Sequence, residues 1–286
     1  MHKRVLVSPS ELDELIKREP VVLIDTRDAA SYAEAHLPGA VNIHEIFTYL
    51  ATTTPEGLAK LHELFAQAFA KAGLSGREIA LVYEQSMTTG FGQSCRGYVL
   101  LRYLGYPRDK IKILHGGYSA WRNAGLPSTS EASAPVTATF PSSNGERSLF
   151  VDLDEMKRIV ATPNIVKLDV RDVDEWIGES SSPYGKDFCP RKGRIPGSVW
   201  LEWYRMMKPT AQGPMFKSPG EILAECATVG IGPDTPVVVF CFKGARASNT
   251  FVALEEAGIR NVRLYLGSWN EWSRDLTLPI EEGLPY

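Results

Sequence analysis

The amino-acid sequence predicts an α/β protein made of two tandem domains, each with a mainly parallel sheet. Two observations predict it. The first is an internal duplication. Asp25-Thr-Arg27-Asp28, at the end of an apolar run, returns as Asp169-Val-Arg171-Asp172. His36-Leu-Pro-Gly-Ala-Val41 returns as Arg194-Ile-Pro-Gly-Ser-Val199, and Ala80-Leu-Val-Tyr-Glu84 as Val237-Val-Val-Phe-Cys241. Gly116-Gly-Tyr-Ser-Ala-Trp121 returns as Gly267-Ser-Trp-Asn-Glu-Trp272. Matches in the same order along both halves mark a repeated unit. The second observation is that each half alternates short apolar runs with segments of helical period, the pattern of a parallel sheet flanked by helices.

Taken in order, a helix is expected from Ser8 to Arg18, capped by Ser8 or Ser10, followed by an apolar strand ending at Asp25. A strand over Ala80–Glu84 and a helix over Cys95–Leu104 follow. The stretch from Leu126 to Arg147 is rich in Ser, Thr, Ala and Pro and has little periodicity, so it reads as an interdomain linker. The expected domains are therefore 1–126 and 148–286, joined by 127–147. In the second half a strand ends at Asp169, an insertion runs from Gly178 to Lys192, and Val237–Phe240 forms a buried strand. After Asn249 a helix is expected, with Phe251, Val252, Leu254 and Ala257 near helical spacing and Gly258 just past its end.

The chain is long enough for two ordinary domains, and its 44% apolar and 23% charged residues are those of a globular protein. A net charge of −3 gives no reason to expect nucleic acid or an anionic membrane as a partner. No apolar run is long enough to span a bilayer, and the first residues lack the sustained apolar stretch of a secretory signal. Cys95, Cys189, Cys226 and Cys241 are widely spaced with no CxxC, a poor disulfide framework and a poor zinc site, as expected in a reducing cytoplasm. No metal and no organic cofactor are expected.

Chemistry concentrates in Cys241-Phe242-Lys243-Gly244-Ala245-Arg246. A cysteine at the end of a buried strand is followed by a tight loop that opens a helix. Gly244 allows a sharp turn in which successive N–H groups form an anion-binding nest. The helix N-terminus, Lys243 and Arg246 add positive charge, favouring thiolate over thiol at Cys241. An inert buried thiol is the competing reading. The first half has Glu84 at this position, with no thiol or cation in the loop that follows, so it reads as catalytically inactive. All five histidines lie at or before His115, and no Cys–His dyad arises within the second half. Cys95 reads as a helix-packing residue, while Cys189 in the insertion is a candidate resolving thiol. Arg171 either faces substrate or braces Asp169; Arg194 joins Lys186, Arg191 and Lys192 in a basic cluster suited to small anions. Trp200, Trp203 and Tyr204 either wall the pocket or pack in the core.

With Asp169-x-Arg171, Gly193-Arg-Ile-Pro-Gly-Ser-Val199, the Cys241–Arg246 loop and Leu266-Gly-Ser-Trp-Asn-Glu-Trp272 in view, the chain resembles the tandem-domain rhodaneses, sulfurtransferases of the thiosulfate and 3-mercaptopyruvate type. The resemblance covers nearly the whole chain. It implies five-stranded sheets, an inactive first domain and a catalytic second one. It also implies transfer of a sulfane sulfur through a Cys241 persulfide to cyanide or a cellular thiol such as thioredoxin or glutathione. Donor binding would fall to the loop Phe242–Arg246 with Arg171 and Arg194. Lys243 and Arg246 favour the thiosulfate dianion over 3-mercaptopyruvate, while Phe242 departs from the basic residue many thiosulfate enzymes carry there. A sulfur-carrier or regulatory module is a further alternative. A rhodanese-like cysteine phosphatase would need one more residue between Cys241 and Arg246.

Overall fold

A computed structural model describes residues 4–141 and 145–285. In chain order, the first half forms β1 (Leu6–Val7), α1 (Pro9–Ile16), β2 (Val21–Asp25), α2 (Ala29–Glu34), β3 (Val41–Asn42), α3 (Glu45–Thr48), α4 (Pro55–Lys71), β4 (Ile79–Tyr83), α5 (Gln93–Leu104), β5 (Ile111–Leu114) and α6 (Gly117–Asn123). The second half forms α7 (Leu153–Val160), β6 (Val166–Asp169), α8 (Val173–Trp176), β7 (Ser198–Trp200), β8 (Met207–Lys208), β9 (Met215–Phe216), α9 (Pro219–Ala227), β10 (Val237–Phe240), α10 (Ala245–Glu256), β11 (Val262–Leu264) and α11 (Ser268–Trp272). Capping chemistry sets several starts. Ser8 and Glu11 form a reciprocal capping box on α1, Ser218 and Glu221 form one on α9, and Asp152 caps α7.

The chain falls into two compact units that interleave in sequence. One comprises the described parts of Met1–Tyr49 and Ala59–Arg147, with Met207–Phe216; the other comprises Leu50–Leu58, Ser148–Met206 and the described part of Lys217–Tyr286. The first unit has a five-stranded parallel sheet in the order β1-β5-β4-β2-β3. The second has a four-stranded parallel sheet, β11-β10-β6-β7. The fifth strand expected there is reduced to a single parallel bridge between Phe150 and Leu264. The antiparallel pair β8-β9 packs with the first unit.

Two expectations change in detail. The Ser/Pro-rich stretch after Leu126 lies on the first unit: Thr129 bridges His36, Ala138 N–H donates to Ala70 O at 2.9 Å, and the Phe140 ring lies 5.5 Å from Phe69. In addition, α10 starts at Ala245, ahead of the start expected after Asn249. Asn249 therefore lies in the second turn, fully buried. In the second unit, the centre of the sheet positions the site. β6 and β10 are paired neighbours, with Phe240 opposite Asp169, so Asp169 and Cys241 emerge at the same carboxyl edge.

Candidate active site

Cys241 follows β10 directly and is 1% exposed. Its backbone N–H donates to the Ser268 hydroxyl at 3.2 Å, and that hydroxyl donates to Tyr265 O at 2.8 Å. The chain then turns through Gly244, whose φ of 89° is the left-handed conformation that favours glycine, and enters α10. Leu266 also closes over Gly244, where a Cβ would lie 2.6 Å from Leu266 Cδ1. Gly244 N–H donates to Cys241 Sγ at 3.1 Å. The sulfur thus lies at the N-terminal end of a twelve-residue helix, whose first-turn amides lack intrahelical acceptors. From the other side, Trp269 N–H and Asn270 N–H of α11 donate to the carbonyls of Cys241 and Phe242 at 3.0 and 2.8 Å.

The charges are arranged less simply than the sequence suggests. Arg246 is buried, and its guanidinium is turned onto two carboxylates: Glu175 at 2.6 and 3.2 Å and Asp172 at 3.0 Å. Its value is raised although burial works against it; Glu175 is the main favourable cause, followed by Cys241. Arg246 therefore feels the sulfur, but its charge is largely balanced locally. Burial raises Glu175, and the charge of Arg246 opposes that rise. Lys243 Nζ donates to Tyr184 Oη at 2.7 Å and lies 4.9 Å from the centre of that ring. Tyr184 and Phe188, both from the 178–192 insertion, pack against Phe242 with ring centroids 5.5 and 6.0 Å away. The insertion thus contributes an aromatic wall to the Cys241 loop.

The remaining candidates have other surroundings. Arg171 is fully buried and braces Asp169 with three bonds of 2.7–3.0 Å, donates to Gly193 O at 2.9 Å, and lies over Trp269 at 4.7 Å. Arg27 makes the same brace with Asp25 in the first unit, and its Nη1 also donates to Gln85 Oε1 at 3.2 Å. Phe242 stands where Gln85 does, offers no acceptor, and Arg171 Nη1 has no hydrogen-bond partner among the described residues. Arg194 donates to Gly283 O, Trp176 O and Glu281, fastening the C-terminal segment. Arg191 is likewise spent on the carbonyls of Trp272, Ser273, Asp275 and Leu278. Cys189 is buried, 2.9 Å from Ser273 Oγ, and burial pushes its thiol up. Cys95 is pushed up by burial and by Glu84. His36 lies between Tyr32 O and Glu131 O, and His115 accepts from Phe216 N–H.

Glu84 follows β4 as Cys241 follows β10. Its side chain turns back onto the start of α5, where Ser94 N–H donates to Oε2 at 3.2 Å. A carboxylate of the chain itself thus sits where the second unit holds its sulfur. Ser268, Glu175 and Tyr184 went unrecognised in the sequence. Glu175 also closes a capping box with Asp172 at the start of α8. Ser268 carried one signal: it replaces Gly117 of the first repeat, and both are left-handed, at φ 55° and 65°.

Comparison with known proteins agrees with this geometry. A rhodanese-like domain is recognised twice, over residues 8–124 and 152–275. The chain is 27% identical to the thiosulfate sulfurtransferase of Azotobacter vinelandii and 25% identical to that of Pseudomonas aeruginosa, in both cases over 97% of each chain. In fold it is similar to a variant of EanB bound to ergothioneine, with a TM-score of 0.82, 24% identity, and coverage of 99% of this chain and 71% of that one. With both halves matched and the whole length aligned, the chain belongs to the rhodanese family as a tandem of two rhodanese-like domains.

Proposed function

We propose that this chain is a sulfurtransferase that moves the sulfane sulfur of thiosulfate to a thiophilic acceptor through a persulfide on Cys241. One observation carries the reading: Cys241 Sγ accepts the Gly244 N–H at 3.1 Å, at the start of α10. The names of the full-length relatives support it. Fixed amides at a helix N-terminus stabilise an anionic sulfur whether it is the thiolate or the persulfide, and they need no reorganisation between the two.

In the first step the Cys241 thiolate attacks the outer sulfur of thiosulfate. The Cys241 S–S bond forms, the bond to the sulfonate sulfur breaks, and sulfite leaves with that electron pair. In the second step cyanide or a thiolate attacks the outer persulfide sulfur. A new bond to that sulfur forms, the S–S bond breaks, and Cys241 returns as thiolate. No general base is required, which suits a site whose cysteine is held by amides rather than by histidine.

Lys243 is the loop cation assigned to the donor's sulfonate, with Tyr184 holding its ammonium. Arg246 acts through the local field and through the fold of the loop. Arg171 and Arg194, whose bonds brace the sheet edge and the C-terminal segment, are left out of the donor-binding set. The test is steady-state turnover with cyanide, comparing thiosulfate with 3-mercaptopyruvate, alongside Cys241→Ser. A higher kcat/KM for thiosulfate, abolished in the variant, is expected. Preference for 3-mercaptopyruvate would overturn the donor assignment, and activity surviving in the variant would overturn the nucleophile.

A further inference from the structure

We infer that Thr53 and Glu271 are positioning residues for Cys241, and that Leu50–Leu58 is a strap seated on the helix that carries the nucleophile's loop. The inference rests on the reading of Cys241 as nucleophile. It starts from α11, only five residues long. So short a helix has little stability of its own, and packing must hold it in place. Yet its first turn makes three bonds to the loop: Ser268 Oγ accepts the Cys241 N–H, while Trp269 N–H and Asn270 N–H donate to the Cys241 and Phe242 carbonyls. A shift of α11 therefore moves the backbone on both sides of the sulfur.

Glu271 anchors that helix. It is 7% exposed, and its carboxylate accepts both the backbone N–H of Thr53 and its hydroxyl, the latter at 2.6 Å. Thr53 is itself 1% exposed. A buried carboxylate that gives up water must be matched by donors held in place, and here one residue supplies two. The carboxylate lies against Gly267, where a Cβ would come within 2.0 Å of Oε2. Gly267 has an ordinary φ of −60°, so what excludes a side chain there is the carboxylate, not the backbone. Leu50 adds a second attachment, packing on the core cluster that contains Phe242, Trp269 and Trp272.

The duplication supplies a control. In the first unit Tyr118 N–H and Ser119 N–H make the same clamp on the carbonyls of Glu84 and Gln85, at 2.8 and 2.9 Å. There the residue in the place of Glu271 is Ala120. The carboxylate grip thus accompanies the repeat that carries the cysteine. Although residues 50–58 come from the half of the sequence that has Glu84 at the position of Cys241, they belong to the compact unit that contains Cys241.

The test uses the full chain with Thr53→Val, Thr53→Ser, Glu271→Gln and Gly267→Ala. Two readouts are taken: alkylation of Cys241 by iodoacetamide without any sulfur donor, against a Cys241→Ser blank, and thiosulfate–cyanide turnover. Thr53→Val is expected to slow alkylation and kcat by about tenfold, the scale of one hydrogen bond to a charged group, with KM for thiosulfate little changed. Thr53→Ser, which keeps both donors, is expected to stay within about twofold of the parent. Glu271→Gln and Gly267→Ala are expected to fall with Thr53→Val, and they carry the test if that variant does not fold. Parental alkylation in Thr53→Val, or equal damage in Thr53→Ser, would overturn the inference. If alkylation follows the expected order while even the parent chain moves no sulfur, positioning stands and the sulfurtransferase reading fails.

Discussion

Replacing Glu84 with glutamine should stabilise the first unit, and only at neutral and alkaline pH. The carboxyl is wholly buried, and burial raises it from an ordinary 4.5 to about 7, against the opposing pull of the α5 amides. The groups facing it are those amides and the buried Cys95 thiol; the loop from Gln85 to Gly92 carries no charge. Because the folded value lies above the unfolded one, the unfolded chain gives up its proton first as pH rises. The stability associated with protonated Glu84 is therefore fully present below about 4.5 and is lost as pH rises through about 7. At about 1.4 kcal/mol per pH unit, the gap between 4.5 and about 7 makes ionisation of Glu84 cost about 3 kcal/mol of folding free energy above pH 8. Glutamine keeps the shape and an oxygen for Ser94 N–H but has no charge to bury. Hydrogen-exchange protection of the β4 and α5 amides, corrected for intrinsic rates, reads this unit by itself. The variant should exceed the parent by less than about 1 kcal/mol at pH 5 and by about 3 kcal/mol at pH 8.5. A difference that is the same at both pH values would refute the assignment of a buried, titrating carboxyl.

Two further outcomes follow from the loop. Lys243→Met should raise KM for thiosulfate about tenfold, with a smaller effect on 3-mercaptopyruvate, because a dianion loses more than a monoanion when one cation goes. Equal losses in steady-state assays with the two donors would show that Lys243 does not read donor charge. Ser268→Gly should relieve roughly 1 kcal/mol of left-handed strain while leaving the buried Cys241 N–H without its acceptor, at about 1–3 kcal/mol. Thermal unfolding should therefore show a shift of only a few degrees, while kcat falls about tenfold; unchanged kcat would show that the hydroxyl is dispensable.

Much of this protein is legible in its sequence because the information is local or repeated. The strands that end in Asp25 and Asp169, the turn at Gly244 and the cysteine at a strand end follow from periodicity, backbone preference and the position of one residue relative to the next. The duplication adds an internal comparison that exposes Glu84 as the odd residue. What only the tertiary structure decided depends on side chains far apart in sequence. Arg246 and Glu175 are separated by 71 positions, and no local pattern reveals that the loop's apparent cation is largely neutralised. Thr53 and Glu271 lie 218 positions apart, and only the fold places them against one another. The sequence therefore determined where the cysteine stands, between a buried strand and the start of a helix; which charges remain available around it, and what holds its loop in place, were decided by burial, because a buried charge must find a partner wherever the packing supplies one.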